Sequence, residues 1–430
     1  MNSGAQAAAM NFLNEVADEF PSAISFAAGR PTDRFFGRLN GAALLDAVAR
    51  YERHARISCT QSKHGPNLLQ YGRTAGIIGE LVIEQLASDE GVHATPDRVI
   101  MTSGCQEALA LCLPALCPDK RDVALTCNPT YIGFTCAAQA GGASVVALSN
   151  KVVSIADAIE RAVRELRRIR RRPRALYLIP NFDNPTGRLL DERQRKDILD
   201  ICRRERIVVL EDDAYGMFQY DGEPVASMSA LDQSGCVIHL STFSKTVAPA
   251  VRVGTLVLPE SLFGDQDARK SLWKELVQRK SFITVNTSQI TQAIVGGLLL
   301  QENRSLKEWI RPAVNWYRTN RDVMLDHLKR VFAPISTRTW WNRPAGGFFL
   351  VMKVPFRFDA DSVTDCATKH GVVVMPMSFF AFDKSQDHRI RLAFTCVDPE
   401  QIRIGIEALG DFVASRMGKW GNCRQQATVV

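Results

Sequence analysis

From about Asp97 onward, short β-branched runs alternate with segments of helical periodicity. The apolar runs 98–102, 123–127, 144–147, 175–179, 207–210, 237–240 and 253–258 predict seven strands. Between them, 106–116, 155–168 and 192–204 carry helical spacing. Strands alternating with helices predict an α/β domain, a three-layer αβα stack around a mostly parallel sheet. In such a sheet, ligand groups collect where strands end and helices begin. After Ser288 the pattern changes to long helices, 289–300 and 305–331, and then to a mixed segment from Thr337 that predicts a smaller α+β domain. The run 24–27 reads as a short strand and meets a turn at Gly29, Arg30 and Pro31. The expected division is an N-terminal segment, 1–50, returning onto the small domain, a large domain, 51–300, and a small domain, 301–430.

Composition changes this picture little. A chain of 430 residues exceeds what one core usually organises, which agrees with two domains. With 46% hydrophobic and 23% charged residues it reads as an ordinary globular enzyme. Of the 53 basic residues that outnumber 46 acidic ones, many fall in one run holding Arg161, Arg164, Arg167, Arg168, Arg170, Arg171, Arg172 and Arg174. Cations at the end of a helix complement its dipole, so the run reads first as a solvated helix end. A phosphate-bearing partner is the second reading. The cysteines show neither CxxC pairs nor metal spacing, and Cys112, Cys117, Cys127 and Cys202 sit in apolar segments, so they read as reduced core residues and no metal is expected. The start after Met1 has no basic or long apolar stretch, and the longest apolar run, 108–117, is too short for a bilayer. A cytoplasmic protein without membrane or nucleic-acid partners is expected.

Four segments carry candidate chemistry. VIHLSTFSKTVAPAVRVG, 237–254, runs a strand into a Ser/Thr turn and a lysine. A lysine at a strand end is usually solvated, but burial would disfavour its ammonium form and make Lys245 a nucleophile for a carbonyl cofactor. Thr242, Ser244 and Arg252 could hold a phosphate. IVVLEDDAY, 207–215, ends a strand in carboxylates; Asp212 could pair with a protonated pyridine nitrogen and Tyr215 reach a ring hydroxyl, or the acids could cap the following turn. MTSGCQEA, 101–108, places a helix start, a natural anion site, after a strand. LIPNFDNPTG, 178–187, holds the Asn184 amide near the strand ends, although Asn-Pro-Thr-Gly is also a common turn.

Together these segments resemble the fold-type-I pyridoxal-phosphate aminotransferases of class I/II, from about Ile24 to Val413. The resemblance rests on N-P-x-G at 184–187, D-x-A-Y at 212–215 and the lysine motif with its arginine at 241–252. Within that family, QYGRTAG at 70–76, PTYIG at 129–133 and PAGGFF at 344–349 are similar to the kynurenine and 2-aminoadipate aminotransferase branch. SGCQEA, FSKTVAPAVRVG and KSFITVNTSQITQAIVGG, 280–297, resemble transaminases that make hydroxyphenylglycine or dihydroxyphenylglycine for actinomycete peptide antibiotics.

The resemblance implies pyridoxal 5′-phosphate bound covalently by Lys245, with Asp212 on the pyridine nitrogen, Asn184 and Tyr215 on the ring oxygen, and Tyr131 stacked on the ring. Ser103, Gly104, Cys105, Gln106, Thr242, Ser244 and Arg252 would hold the phosphate, Cys105 standing where many relatives carry serine. Tyr71 would reach the phosphate of a neighbouring subunit, which implies a homodimer with shared sites. Arg391, in IRLAF, would bind the substrate α-carboxylate as a bidentate fork, with Asn184, Gly29 and Arg30 nearby. Arg30, Phe35, Phe36, Ser378 and Phe379 are side-chain pocket candidates by position, and Phe35 and Phe36 read equally as packing residues. The expected reaction is transfer of an amino group from an L-α-amino acid, aromatic or long, to an oxo acid in specialised metabolism. Elimination, replacement or cyclisation, for example on S-adenosylmethionine, would use the same residues and stays open. A non-catalytic ligand sensor is a third reading. Such proteins carry a DNA-binding module ahead of this fold, where about two dozen residues precede Ile24 here.

Overall fold

The computed structural model describes residues 19–58, 67–149 and 154–417. The start of the chain, read above for a leader, lies outside them. The first strand, β1 (Ile24–Ser25), is followed by seven that form one sheet: β2 (Val99–Thr102), β3 (Asp122–Thr126), β4 (Ser144–Ala147), β5 (Arg172–Leu178), β6 (Val208–Asp213), β7 (Val237–Thr242) and β8 (Gly254–Val257). The order is β2-β8-β7-β6-β5-β3-β4, and only β8 runs against its neighbours. All seven strands expected from the sequence are present, with ends moved by a few residues.

Alternation along the strands sorts side chains into two cores. Val123, Leu125, Leu176, Leu178, Val209 and Val237 join helices Ile155–Arg168 and Glu192–Glu205 on one face. Ala124, Ala175, Tyr177, Leu210, Ile238 and Leu240 join a larger core on the other, with helices Cys105–Leu116 and Ile132–Ala140. A strand buried on both faces must be apolar throughout, which explains why the sequence shows continuous apolar runs rather than alternation.

Because β8 is reversed, the carboxyl ends of β2, β5, β6 and β7 and the amino end of β8 share one edge. Cys105, Asn184, Tyr215, Lys245 and Arg252 all lie just beyond that edge in sequence. A second, antiparallel sheet is built from β9 (Trp340–Trp341), β10 (Phe349–Lys353), β12 (Met375–Pro376) and β13 (Arg389–Ala393), in the order β12-β13-β10-β9. The short strand β11 (Val372–Val373) pairs in parallel with β1, so the chain near Ile24 is held beside this second sheet. Helix Gly41–Ser58 lies instead against Gln289–Gln301.

Part of the arginine-rich run is paired at the surface: Arg161 with Glu165, Arg164 with Glu160, Arg167 with Glu205, and Arg172 and Arg174 with Asp122. Such pairs contribute little stability. Cys112, Cys117 and Cys202 are buried free thiols, and Cys127 is half-buried.

Gly297 lies inside the helix Gln289–Gln301, where alanine normally improves stability by about 1 kcal/mol. A Cβ there would stand 1.9 Å from the Ala47 carbonyl oxygen. Overpacking against backbone costs about 1–3 kcal/mol, so the clash wins. Gly297→Ala is expected to lower the denaturant midpoint, whereas a gain in stability would show that the two helices are free to part.

Candidate active site

The shared strand edge opens into a cavity of about 320 Å³ lined by groups from both sheets. Lys245 enters from β7. The strand stops at Thr242, whose hydroxyl accepts from the Ser244 N–H at 3.2 Å, and the turn that follows carries the lysine into the cavity. Its Nζ donates to the Gly29 carbonyl at 3.2 Å. Burial pulls the ammonium down to about 8; the Cys396 and Cys105 thiols work against that shift, and the Arg252 charge adds to it.

β6 ends in Glu211, Asp212 and Asp213, and the two-residue period of a strand turns only the middle one to the cavity. Glu211 faces away, accepting from the Met228 and Ser229 N–H groups at 2.6 and 2.8 Å and meeting His239 Nδ1 at 3.2 Å. Asp213 accepts from Asn181 Nδ2 at 2.9 Å and from the Gly216 N–H at 2.8 Å. Burial beside Glu90 pushes its carboxyl up to about 7. Asp212 accepts at Oδ2 from the Tyr177 hydroxyl at 2.8 Å, while its buried Oδ1 has no partner. Burial pushes this carboxyl above its ordinary value, opposed by the Tyr177 hydroxyl and the Cys105 thiol.

One end of the cavity is built for an anion. Gly104 stands at the start of helix Cys105–Leu116, and no side chain caps it. N–H groups at such a start attract negative charge. Arg252, in left-handed backbone with φ 47°, donates to Ser244 Oγ at 3.2 Å and to the Ser103 carbonyl at 2.8 Å. Gly104 must be glycine, since it has φ +82° and a Cβ there would stand 2.8 Å from Arg252 Nη2. Behind the loop, Glu107 accepts from the Ser103 N–H at 2.5 Å and pairs with buried Lys280 at 2.8 Å.

The other end holds Arg391, on a strand flanked by β10 and β12 and therefore interior to its sheet. Its Nη1 donates to Asn184 Oδ1 and its Nη2 to the Ala27 carbonyl, both at 2.7 Å. Its Nε is buried without a partner, and the guanidinium lies between Phe349 and Phe380, 4.3 and 4.8 Å from the ring centroids. Burial holds it down to about 10, and among the described residues no carboxylate pairs with it. An unpaired buried cation is costly, so the site favours an anion from outside.

Of the residues singled out from sequence, Gly29, Arg30, Gly104, Cys105, Gln106, Tyr131, Asn184, Asp212, Tyr215, Thr242, Ser244, Lys245, Arg252 and Arg391 line this cavity. Ser103 stays outside, with its N–H on Glu107 and its carbonyl on Arg252. Tyr71 is 79% exposed, away from the cavity of its own chain. Phe35 and Phe36 are half-buried in the turn Asp33–Leu39 and do not line it; nor do Ser378 and Phe379, whose neighbour Phe380 does. Phe349, Phe380 and Tyr177 were missed. Gly29 makes room for Phe349, since a Cβ there would stand 2.3 Å from that ring. Tyr177 left none, because it reads as one more strand residue.

The family model described as aminotransferase class I and II matches residues 42–409. The chain belongs to the class I and II aminotransferases. It is 36% identical over 414 residues to the (S)-3,5-dihydroxyphenylglycine transaminase of Amycolatopsis orientalis, covering 96% of this chain and 92% of that one. It is 28% identical over 361 residues to aromatic-amino-acid aminotransferase 1 of Thermococcus litoralis, covering 83% and 82%. Among solved structures, Pyrococcus horikoshii kynurenine aminotransferase superposes with a TM-score of 0.80 at 25% identity, covering 94% of each chain. The architecture is the fold-type-I one, and the protein is a pyridoxal-phosphate-dependent transferase acting on amino acids.

This aminotransferase's cavity fits its family's cofactor. Unpaired Asp212 Oδ1 suits a pyridine N–H, the Gly104 loop with Arg252 suits a phosphate, and Lys245 is a basic amine of lowered affinity for protons. A lysine near pKa 8 is roughly 10% neutral at pH 7, against roughly 0.04% at the ordinary value. In cofactor-free protein the rate of pyridoxal-phosphate capture, followed by absorbance, is therefore expected to rise with pH and level off just above 8. Capture that keeps rising past pH 10 would contradict this.

Proposed function

We propose that this aminotransferase moves the amino group of an aromatic L-α-amino acid to an oxo acid in natural-product biosynthesis. The observation that carries the reading is Arg391, an uncompensated cation between two phenyl rings, facing Lys245 and Asp212 across one cavity. The relative that makes or uses dihydroxyphenylglycine supports an aromatic substrate, as do the apolar walls offered by Phe349, Phe380, Ile132 and Tyr131.

When bound, pyridoxal phosphate supplies a carbonyl that takes up amino groups and a ring that draws electrons from the bond being broken. Lys245 Nζ would hold it and, when freed, would accept the substrate's α-proton and hand it back. Asp212 Oδ1 would pair with the ring nitrogen and keep its proton there. Asn184 Nδ2 and the Tyr215 hydroxyl would hold the ring oxygen, and Tyr131 would cover the ring. Arg391 would fix the α-carboxylate, which aligns the Cα–H bond with Lys245. The Cys105 and Gln106 N–H groups, Thr242, Ser244 and Arg252 would hold the phosphate.

The same reading makes the enzyme a homodimer. Leu69, Tyr71 and Phe282 are 87%, 79% and 76% exposed, and Gln289, seven residues beyond Phe282 in the chain, donates to the Gln70 carbonyl. A second copy would cover this apolar face and bring its Tyr71 to the phosphate. Among the described residues the cysteines are free and mostly buried, which suits a reducing compartment such as the cytoplasm.

Purified protein mixed with a panel of amino acids, with and without an oxo-acid acceptor, is expected to give the oxo acid of an aromatic donor and the amine form of the cofactor. A product that keeps its nitrogen while losing a side-chain group would overturn transamination in favour of elimination or replacement. Arg391→Lys loses the fork geometry and is expected to lower kcat/KM at least about 100-fold without loss of bound cofactor. Sedimentation should give a dimer, and Leu69→Asp combined with Phe282→Asp should give a monomer with weakened cofactor retention.

A further inference from the structure

Tyr177 plays no part in the scheme above, yet it is the firmest contact Asp212 makes. In the register of the sheet Tyr177 pairs with Leu210, so Asp212, two residues further along β6, is its diagonal neighbour on the same face. Diagonal positions lie within reach of a long side chain. The Tyr177 ring is fully buried and stacks on Phe134 at 4.3 Å with only 6° between planes, which leaves the hydroxyl little freedom. It donates to Asp212 Oδ2 at 2.8 Å. Cys105, at the first position of its helix, lines the same cavity.

We propose that Tyr177 holds Asp212 with Oδ1 alone presented to the cavity, and that this sets how much positive charge the cofactor ring carries. The inference rests on the reading that Asp212 pairs with the ring nitrogen. A carboxylate that already accepts a hydrogen bond is a weaker base than a free one, so it leaves the shared proton on the ring. Stripped of a donor, Asp212 draws that proton closer and the ring becomes less positive. The Lys245 nitrogen, facing a less positive ring, then keeps its own proton to higher pH. The other titratable groups near Asp212 are Lys245, Tyr131, Tyr215 and His239; the Cys105 thiol acts directly on Lys245 and Tyr131, whereas the Tyr177 hydroxyl bonds Asp212. Tyr177 is a positioning residue.

The test is a pH titration of the visible absorption of the holoenzyme without substrate. Tyr177→Phe removes one hydroxyl and keeps the stacked ring, and the midpoint is expected to rise by about one unit, the equivalent of a hydrogen bond to a charged group. Phe134→Leu, which unstacks the Tyr177 ring but keeps its hydroxyl, should raise it by less. Asp212→Asn serves as the control. If Asp212→Asn moves the midpoint while Tyr177→Phe leaves it unchanged, the role of Tyr177 is wrong and that of Asp212 stands. If Asp212→Asn leaves it unchanged, the pairing of Asp212 with the ring is itself wrong. Should Tyr177→Phe not fold, Phe134→Leu decides the matter, an unchanged midpoint overturning the role of Tyr177.

Discussion

Three consecutive carboxylates buried at the end of one strand are the constraint around which this active site is arranged. Each buried carboxylate needs hydrogen-bond donors or a cation, and strand alternation forbids all three from using the same ones. Glu211 takes His239 and two backbone N–H groups, and Asp213 takes Asn181 and the Gly216 N–H. Asp212 is left with a neutral donor and one open oxygen. A site that stores an unmet demand for positive charge is suited to a cationic ring.

The opposite demand is stored in Arg391. Its guanidinium is held by an amide, a carbonyl and two aromatic faces, none of which carries a negative charge. Lys245, near neutrality for an amine, lies in the same cavity. The chain near Ile24 links these features, because Ala27 and Gly29 give their carbonyls to Arg391 and Lys245. One short segment, held beside the second sheet through β1, thus closes a cavity whose reactive residues come from the first.

Much of this was legible in the residues. Apolar runs long enough to be buried on both faces marked all seven strands, Lys245, Asp212, Asn184 and Arg252 stood in turns or at strand ends, and Arg391 entered through the family resemblance. The side-chain pocket was not legible. Phe35, Phe36, Ser378 and Phe379 were chosen by position only, and Phe380 lines the cavity instead. Ser103 was grouped with its neighbours, although its backbone serves Glu107 and Arg252 rather than the cavity.

What the sequence alone determined is the order of strands and helices, the charged residues at their ends and the family to which such an arrangement belongs, because periodicity and burial follow from local spacing. Tertiary structure decided which oxygen of Asp212 stays open and that Tyr177 reaches across from the next strand. Those outcomes depend on register between strands distant in the chain. No local pattern encodes a register, since a slip of one residue exchanges the two faces of a strand while leaving its composition unchanged.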